Sequence, residues 1–193
     1  MKYTHLPQVG SLTLPHLELP LDGNSSSRYG VPIRKVWVHR WGGGTFDGVK
    51  RWFENPASGA SSHIVYAGEK GPNRGRAAQM VPYSRKAWTE AAYNKSGVSV
   101  EFADAIFLGK DPVGFARAAR IIAFLLHHNR LPAHWVHGVT FGRKGFLRHA
   151  DGGLLAGGHT SCPTTDMQLW WQFVGRVKAE HRFGHFRPHW GVR

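Results

Sequence analysis

Short apolar segments in the first part of the chain have the composition of buried strands. Residues 36–38 are β-branched and aromatic, and this segment is expected to end at His39, shortly before a run of glycines. Residues 62–66 predict a second strand, and residues 78–81 predict a short third strand. In residues 98–102 apolar and polar side chains alternate, which is typical of a strand with one polar face.

Other segments have helical periodicity and recognisable start and stop signals. Thr45 is expected to be the N-cap of a helix that ends at residues 55–56, where Asn precedes Pro. Val49, Trp52 and Phe53 recur at helical spacing and give this helix one face. The clearest helix opens at residues 111–112, an Asp-Pro pair, and ends near residues 129–130. Asp166 begins a last helix with apolar residues at helical spacing.

Strands and helices are interleaved along the chain, which predicts a single α/β domain with a mixed central sheet flanked by helices. We place this domain at residues 33–183. Residues 1–32 are rich in Pro, Gly and Ser and are expected to form an irregular arm. Residues 133–160 are rich in Gly and His and predict a loop with one strand at residues 135–136. Residues 184–193 form a basic, aromatic tail.

Composition narrows the functional classes. The hydrophobic fraction of 41% and the charged fraction of 19% over 193 residues are those of a globular domain. A single cysteine excludes an intramolecular disulfide. The net charge of +13 favours polyanionic partners, either nucleic acid or cell-wall polymer. The basic residues form no dense helical stripe and no nucleic-acid motif, so we expect no nucleic-acid partner. No long apolar run predicts a signal peptide or a membrane span.

Two histidines and the cysteine suggest a metal site. His39 follows a predicted strand, His149 begins a His-Ala-Asp segment, and Cys162 precedes a proline. Two imidazoles and one thiolate are a ligand set for tetrahedral zinc with a fourth position open. The long separation in sequence argues against a zinc finger, whose ligands come in close pairs. Residue types and spacing alone leave this set open, because the chain contains 13 histidines.

The order and separation of several sequence segments resemble the type-2 N-acetylmuramoyl-L-alanine amidases, which include phage lysins and peptidoglycan recognition proteins. The whole chain is most similar to an actinobacteriophage lysin domain of this family, and the resemblance covers roughly residues 33–180. The segments that carry it are Val36-Trp37-Val38-His39, Ser61-Ser62-His63-Ile64-Val65, Gln79-Met80-Val81-Pro82 with Ala87-Trp88, Asn94 with Ser99-Val100-Glu101, His149-Ala150-Asp151 and Cys162-Pro163.

The resemblance implies roles for individual residues. His39, His149 and Cys162 would bind Zn²⁺, which would activate water to hydrolyse the amide bond between N-acetylmuramic acid and L-alanine. Glu101 matches the glutamate that serves as general base in many members. From alternation alone it would be a solvent-facing strand residue. The residues expected to contact the substrate are Trp88, Asn94 and His63. For His63, the pattern favours a satisfied core or groove histidine over a metal ligand.

One departure from the family concerns the choice of the second histidine ligand. The separation between His149 and Cys162 is longer than in typical members, and the glycine-rich segment 152–158 fills it. This makes His159 a rival ligand. Many members also carry a lysine near the last ligand, which this chain lacks. We predict that His149 binds the metal, with the nearby carboxylate of Asp151 orienting its ring. We predict that His159 donates a hydrogen bond to the developing oxyanion.

The resemblance also implies a setting. The partner would be peptidoglycan, and the protein would be a monomeric phage endolysin held in the host cytoplasm until it is released to the cell wall. The alternative is a recognition module of the same fold that binds peptidoglycan without cleaving it. Loss of a zinc ligand marks that class, and all the ligand positions are filled here, which favours the enzyme.

Overall fold

The computed structural model describes residues 6–8, 10–18, 24–138 and 142–186. In this part of the chain, strands and helices alternate as expected. The strands are β1 (Leu17–Glu18), β2 (Ser25–Ser27), β3 (Lys35–Arg40), β4 (Ile64–Tyr66), β5 (Ala77–Gln79), β6 (Arg85–Ala87), β7 (Gly97–Phe102) and β8 (Gly145–Arg148). The helices are α1 (Phe46–Glu54), α2 (Asp104–Phe107), α3 (Pro112–His128) and α4 (Met167–Phe183).

Within the described residues, a central sheet of six strands has the order β1-β5-β4-β7-β3-β8. Neighbouring strands are parallel except for β4 and β5, which are antiparallel. The prediction of an α/β fold with a mixed sheet flanked by helices is confirmed. Strands β2 and β6 form a separate antiparallel pair. The central pair β3 and β7 sets His39 directly beside Glu101.

The two faces of β3 and β7 have different surroundings. Val36, Val38, Val98 and Val100 belong to the main apolar core, which includes buried residues of α3 and α4. Because side chains alternate across a strand, Trp37, His39, Ser99 and Glu101 lie on the opposite face. Helix α1 packs on β4, where buried Phe46 and Phe53 join a second apolar cluster with Val65. The polar face of β3 and β7 is therefore available for a site.

The helix boundaries follow their caps. Thr45 accepts a hydrogen bond from the Gly48 N–H at 3.1 Å and begins α1. Asp166 accepts one from the Leu169 N–H at 3.0 Å and begins α4. These starts are as predicted. Of the residues on the predicted face of α1, Phe53 is buried and Trp52 is 55% exposed.

The region around residues 133–160 differs from the prediction. The strand lies at β8, not at residues 135–136, where only one bridge joins Trp135 to Phe146. The sequence of β8 has two apolar residues beside basic ones and lacks the alternation typical of a strand. This segment forms a strand because it pairs with the edge of β3 that β7 does not occupy. Gly145 makes this possible, since a Cβ there would lie 2.1 Å from the carbonyl oxygen of His134.

The sequence predicts an irregular arm at residues 1–32 and a basic, aromatic tail at residues 184–193. Residues 1–32 contribute two short strands, β1 on the edge of the sheet and β2 beside β6, so this arm is not wholly irregular. Of the predicted tail, residues 184–186 are described, and residues 187–193 lie outside the described residues. In the described chain, no helix combines the length and the apolar character needed to cross a membrane.

The start of α3 yields a prediction about stability. Asp111 accepts the Gly114 N–H at 2.9 Å and the Glu69 N–H at 2.6 Å. Asp111→Ala removes both bonds, and we expect the free energy of unfolding to fall by about 2 kcal/mol. Asp111→Asn keeps one acceptor oxygen, so its free energy of unfolding should lie between those of the parent and of Asp111→Ala. Urea unfolding measures this, and an alanine variant within 0.5 kcal/mol of the parent, roughly the lower limit for a cap, would contradict it.

Candidate metal centre

Three donor atoms converge at the carboxyl ends of β3 and β8. The Nδ1 atoms of His39 and His149 lie 3.1 Å apart, and Sγ of Cys162 lies 4.0 Å from Nδ1 of His39. All three atoms lie within 4.8 Å of one another. Strand β3 delivers His39 from the centre of the sheet, and His149 follows β8 at the start of a short 3-10 helix, His149–Gly152. The structure therefore brings together the three predicted ligands.

A backbone carbonyl fixes the ring of His149. Its Nε2 lies 2.7 Å from the carbonyl oxygen of Ala156, so Nε2–H donates and Nδ1 keeps its lone pair. The sequence had suggested Asp151 for this orienting role. Asp151 instead accepts hydrogen bonds from the backbone and guanidinium of Arg148 and from the indole of Trp135. The expected carboxylate partner of His149 is thus wrong, because Asp151 turns away to stabilise the end of β8.

Cys162 is held by two neighbouring segments. Its carbonyl oxygen accepts the Ala150 N–H at 2.9 Å, which ties it to the segment carrying His149. Its Sγ accepts the Arg40 N–H at 3.4 Å, directly after His39 on β3. The peptide bond to the following proline is cis. These backbone contacts position the sulfur beside both imidazoles.

Burial sets the protonation states of the three donors. It lowers the pKa of His39 to about 3 and, together with the neighbouring His39, that of His149 to about 3. Both imidazoles are therefore neutral, the form that binds metals. Burial and the charge of Glu101 raise the pKa of the Cys162 thiol to about 12, which a divalent cation at the sulfur would reverse. Two neutral imidazoles and a sulfur with one open side fit Zn²⁺.

Glu101 lies beside the donors on the adjacent strand. Its Oε1 is 4.0 Å from Nδ1 of His39, and its Oε2 has no hydrogen-bond partner among the described residues. Burial and the nearby Glu90 and Asp104 raise the pKa of Glu101 to about 8. Alternation along the strand predicts that Glu101 faces solvent, as the alternative to a role as general base. The structure places it in a cavity next to the metal ligands, only 8% exposed.

A cavity of about 630 Å³ opens over the donors. The indoles of Trp41, Trp52 and Trp88 line it, which accounts for the exposure of Trp52. His159 also lines it and is exposed, with its ring centroid 4.2 Å from that of His149. His159 is not one of the converging donors. The other lining residues are His39, Arg40, Gly42, Gly43, Gly44, Thr45, Gly48, Val49, Phe53, Ala60, Ser61, Thr89, Glu101, His149, Ser161 and Cys162.

Two residues expected to contact the substrate do not line this cavity. His63 is fully buried, and its ring lies 2.7 Å from the Arg28 guanidinium and 3.1 Å from the Ser99 hydroxyl. Asn94 accepts the backbone N–H groups of residues 89 and 90. Both side chains organise the interior, because buried polar groups take their partners from the nearest backbone and side chains. For His63 the structure agrees with the core alternative, and of the three expected contacts Trp88 alone lies in the cavity.

Glu90 is a site residue that sequence reasoning missed. It is fully buried, and its Oε1 lies 3.6 Å from Nε2 of His39. Burial raises its pKa to about 7. Its local sequence, Thr89-Glu90-Ala91, has the composition of an exposed turn, and no pattern there indicates burial. Its position becomes visible only when the loop before β7 folds against β3.

Comparisons with known proteins agree with this arrangement. The family model described as N-acetylmuramoyl-L-alanine amidase matches residues 29–165, which include every residue of the candidate centre. No curated protein matches this sequence significantly.

Solved structures share the fold. The Staphylococcus aureus hydrolase AmiA, in complex with its ligand, has a TM-score of 0.66 and 18% identity over 88% of this chain and 85% of its own. The PlyG catalytic domain has a TM-score of 0.60 and 19% identity over 90% and 99%. The endolysine N-acetylmuramoyl-L-alanine amidase LysCS from Clostridium intestinale has a TM-score of 0.51 and 10% identity over 82% and 95%.

Proposed function

The chain belongs to the N-acetylmuramoyl-L-alanine amidase family, and from this premise we propose that it is a zinc-dependent hydrolase of peptidoglycan. The bond it cleaves joins N-acetylmuramic acid to L-alanine. The observation that carries the proposal is the convergence of His39, His149 and Cys162 beneath an open cavity. A recognition module that had lost hydrolysis would lack part of this donor set.

His39 and His149 would hold the metal through their Nδ1 atoms and Cys162 through Sγ, and the cavity lies next to these donors. A bound zinc ion supplies Lewis acidity, which makes water a better nucleophile and polarises the scissile carbonyl. The buried surroundings strengthen these electrostatic effects, because little water is present to screen them.

Glu101 is the proposed general base. Its carboxylate lies next to the ligand set, with Oε2 unpartnered in the described structure, so it accepts the proton of the attacking water. The same oxygen then passes this proton to the nitrogen of L-alanine as the amide bond breaks. Burial raises the pKa of Glu101 to about 8, and a cation held by the donors would lower it and favour the ionised carboxylate.

His159 is the proposed donor to the carbonyl oxygen. It lies on the cavity side of His149 and is exposed, so a ring N–H can reach the negative charge that develops there. The flat indoles of Trp41, Trp52 and Trp88 provide apolar surfaces on which the sugar and its lactyl group pack. The net charge of +13 attracts the enzyme to anionic cell wall.

The proposed biological setting is that of a phage endolysin, held in the host cytoplasm and acting on the wall at lysis. A named endolysine of this fold among the solved structures supports that setting, as does the resemblance of the sequence to lysin domains. Purified protein added to isolated cell walls of candidate hosts should lower their turbidity. Walls that stay intact while soluble muropeptides are cleaved would favour a different setting.

The metal assignment predicts one zinc per chain. Cys162→Ala removes one of the three donors, and we expect it to lose both zinc and turnover. Elemental analysis measures the metal, and new amino groups without new reducing sugar ends measure amidase cleavage. His134→Ala, which removes an exposed imidazole elsewhere, should retain both. Full zinc occupancy in the Cys162 variant would show that the donor set is wrong.

The general-base assignment predicts a separate phenotype for Glu101. Glu101→Gln keeps the size of the side chain but accepts no proton, so turnover should fall by roughly 10²–10⁴-fold with zinc retained. The same amino-group assay on soluble muropeptide measures it. Glu54→Gln at the end of α1 is the matched control, with turnover near that of the parent. Near-parental turnover of Glu101→Gln would leave Glu101 without a chemical role.

Substitution of the two histidines that flank the glycine-rich segment should have different effects on zinc binding and turnover. His149→Ala removes a metal ligand and should weaken zinc binding by about 10-fold or more. His159→Ala should keep zinc and lose roughly 10²–10³-fold in turnover, as expected for the loss of one oxyanion donor. Zinc titration and kinetics on the reconstituted variants measure both effects. A metal-free His159 variant beside a metal-loaded His149 variant would reverse the two assignments.

A further inference from the structure

The two ring nitrogens of His39 face different groups. Nδ1 lies toward His149 and Cys162, whereas Nε2 points to the other side of the ring. There the nearest charged group is Glu90, with Oε1 at 3.6 Å. Neither Nε2 nor either carboxylate oxygen of Glu90 has a hydrogen bond of ordinary geometry within the described chain. A buried donor and a buried acceptor thus face each other, and the Ser99 hydroxyl also interacts with the Glu90 carboxylate.

The chemistry of imidazole decides what Nε2 carries. A neutral ring has one N–H, and if Nδ1 gives its lone pair to a metal, the proton lies on Nε2. A buried N–H without an acceptor costs about 1–3 kcal/mol, so the site needs an acceptor on this side of His39. The separation of 3.6 Å exceeds a good hydrogen bond by only a few tenths of an ångström. A small rotation of the Glu90 side chain would close this gap.

The loop before β7 holds Glu90 in this position. The Glu90 N–H donates to Oδ1 of Asn94 at 2.6 Å, and the Glu90 carbonyl accepts the Tyr93 N–H at 2.9 Å. Gly97 leaves room for the carboxylate, since a Cβ there would lie 3.1 Å from Oε2 of Glu90 and 2.7 Å from Nε1 of Trp37. This is the role that the structure gives to Asn94 in place of a substrate contact.

We propose that Glu90 is a positioning residue that accepts the Nε2–H of His39 and so presents Nδ1 of that ring to the metal. The inference rests on the proposed zinc site. It makes the two histidine ligands alike: each gives Nδ1 to the metal and donates Nε2–H to an oxygen behind it. For His149 that oxygen is the Ala156 carbonyl, and for His39 it is a carboxylate. Such partners fix the tautomer and raise the basicity of a ligand imidazole.

Zinc affinity of the full-length variants tests the proposal without recourse to turnover. Competition with a chromogenic chelator should show that Glu90→Ala binds zinc about 10–100-fold more weakly than the parent. Glu90→Gln keeps an acceptor oxygen and should recover most of that loss. In the zinc-loaded parent, ¹H–¹⁵N NMR of the imidazoles should place the proton of His39 on Nε2, with a resonance that moves in Glu90→Gln.

Glu180→Gln is the matched control. Glu180 is also fully buried, but it pairs with Arg120 and Arg176 on α3 and α4, so its loss should affect stability and leave zinc affinity within about twofold. An equal loss of affinity in this control would overturn the proposal, because the effect would then come from the fold. Zinc affinity of Glu90→Ala equal to that of the parent would also overturn the proposal, as would a proton on Nδ1 of His39 in the zinc-loaded parent.

The outcomes also separate this inference from the proposed function. A parent protein that binds no zinc would overturn both. A parent that binds zinc with His39, His149 and Cys162 but is indifferent to Glu90→Ala would overturn only the inference. If Glu90→Ala does not fold, the resonance in the parent and its change in Glu90→Gln decide.

Discussion

Burial of several polar groups in one place is the constraint on which the rest of the structure depends. Two imidazoles, a thiol and two carboxylates lie together where β3 and β7 end, and only Cys162 among them is more than slightly exposed. Burial disfavours every charged form, so it lowers the pKa of each imidazole and raises the pKa of each acid. A divalent cation at the donors would compensate a thiolate and the neighbouring carboxylates, so the cluster has the chemistry expected of a metal centre.

The parallel sheet is what brings these groups together. Parallel strands end at the same edge, so the in-register pairing of β3 with β7 sets His39 next to Glu101. The same register turns Val38 and Val100 toward α3 and α4. A slip of β3 by one residue would exchange its two faces. His39 would then point into the apolar core, and a valine would point into the site. The core and the site are thus specified by one register, and the apolar packing that stabilises the fold also fixes the geometry of the donors.

Local signals in the sequence account for much of this arrangement. The alternation around Ser99 and Glu101, the caps Thr45 and Asp111, and the three donors were all predicted, because each depends on neighbouring residues or on a resemblance of short segments. Tertiary placement decides the rest. Strand β8 exists because β3 has a free edge, and Glu90 is buried because a loop folds over it. Trp52 is exposed because the cavity, and not the core, lies against that side of α1.

The long glycine-rich segment between His149 and Cys162 shows why spacing alone could not assign its histidines. The segment turns back on the ring of His149, and Gly157 and Gly158 adopt positive φ values of 100° and 76° as it does so. This turn aims the carbonyl of the preceding Ala156 at Nε2 and carries the next ring, His159, onto the cavity side. The added residues therefore supply both an acceptor for the ligand and a candidate donor for the substrate. With a shorter segment, the acceptor for His149 and the donor to the substrate would have to come from other residues. In family members with a lysine near the last ligand, that lysine is the donor.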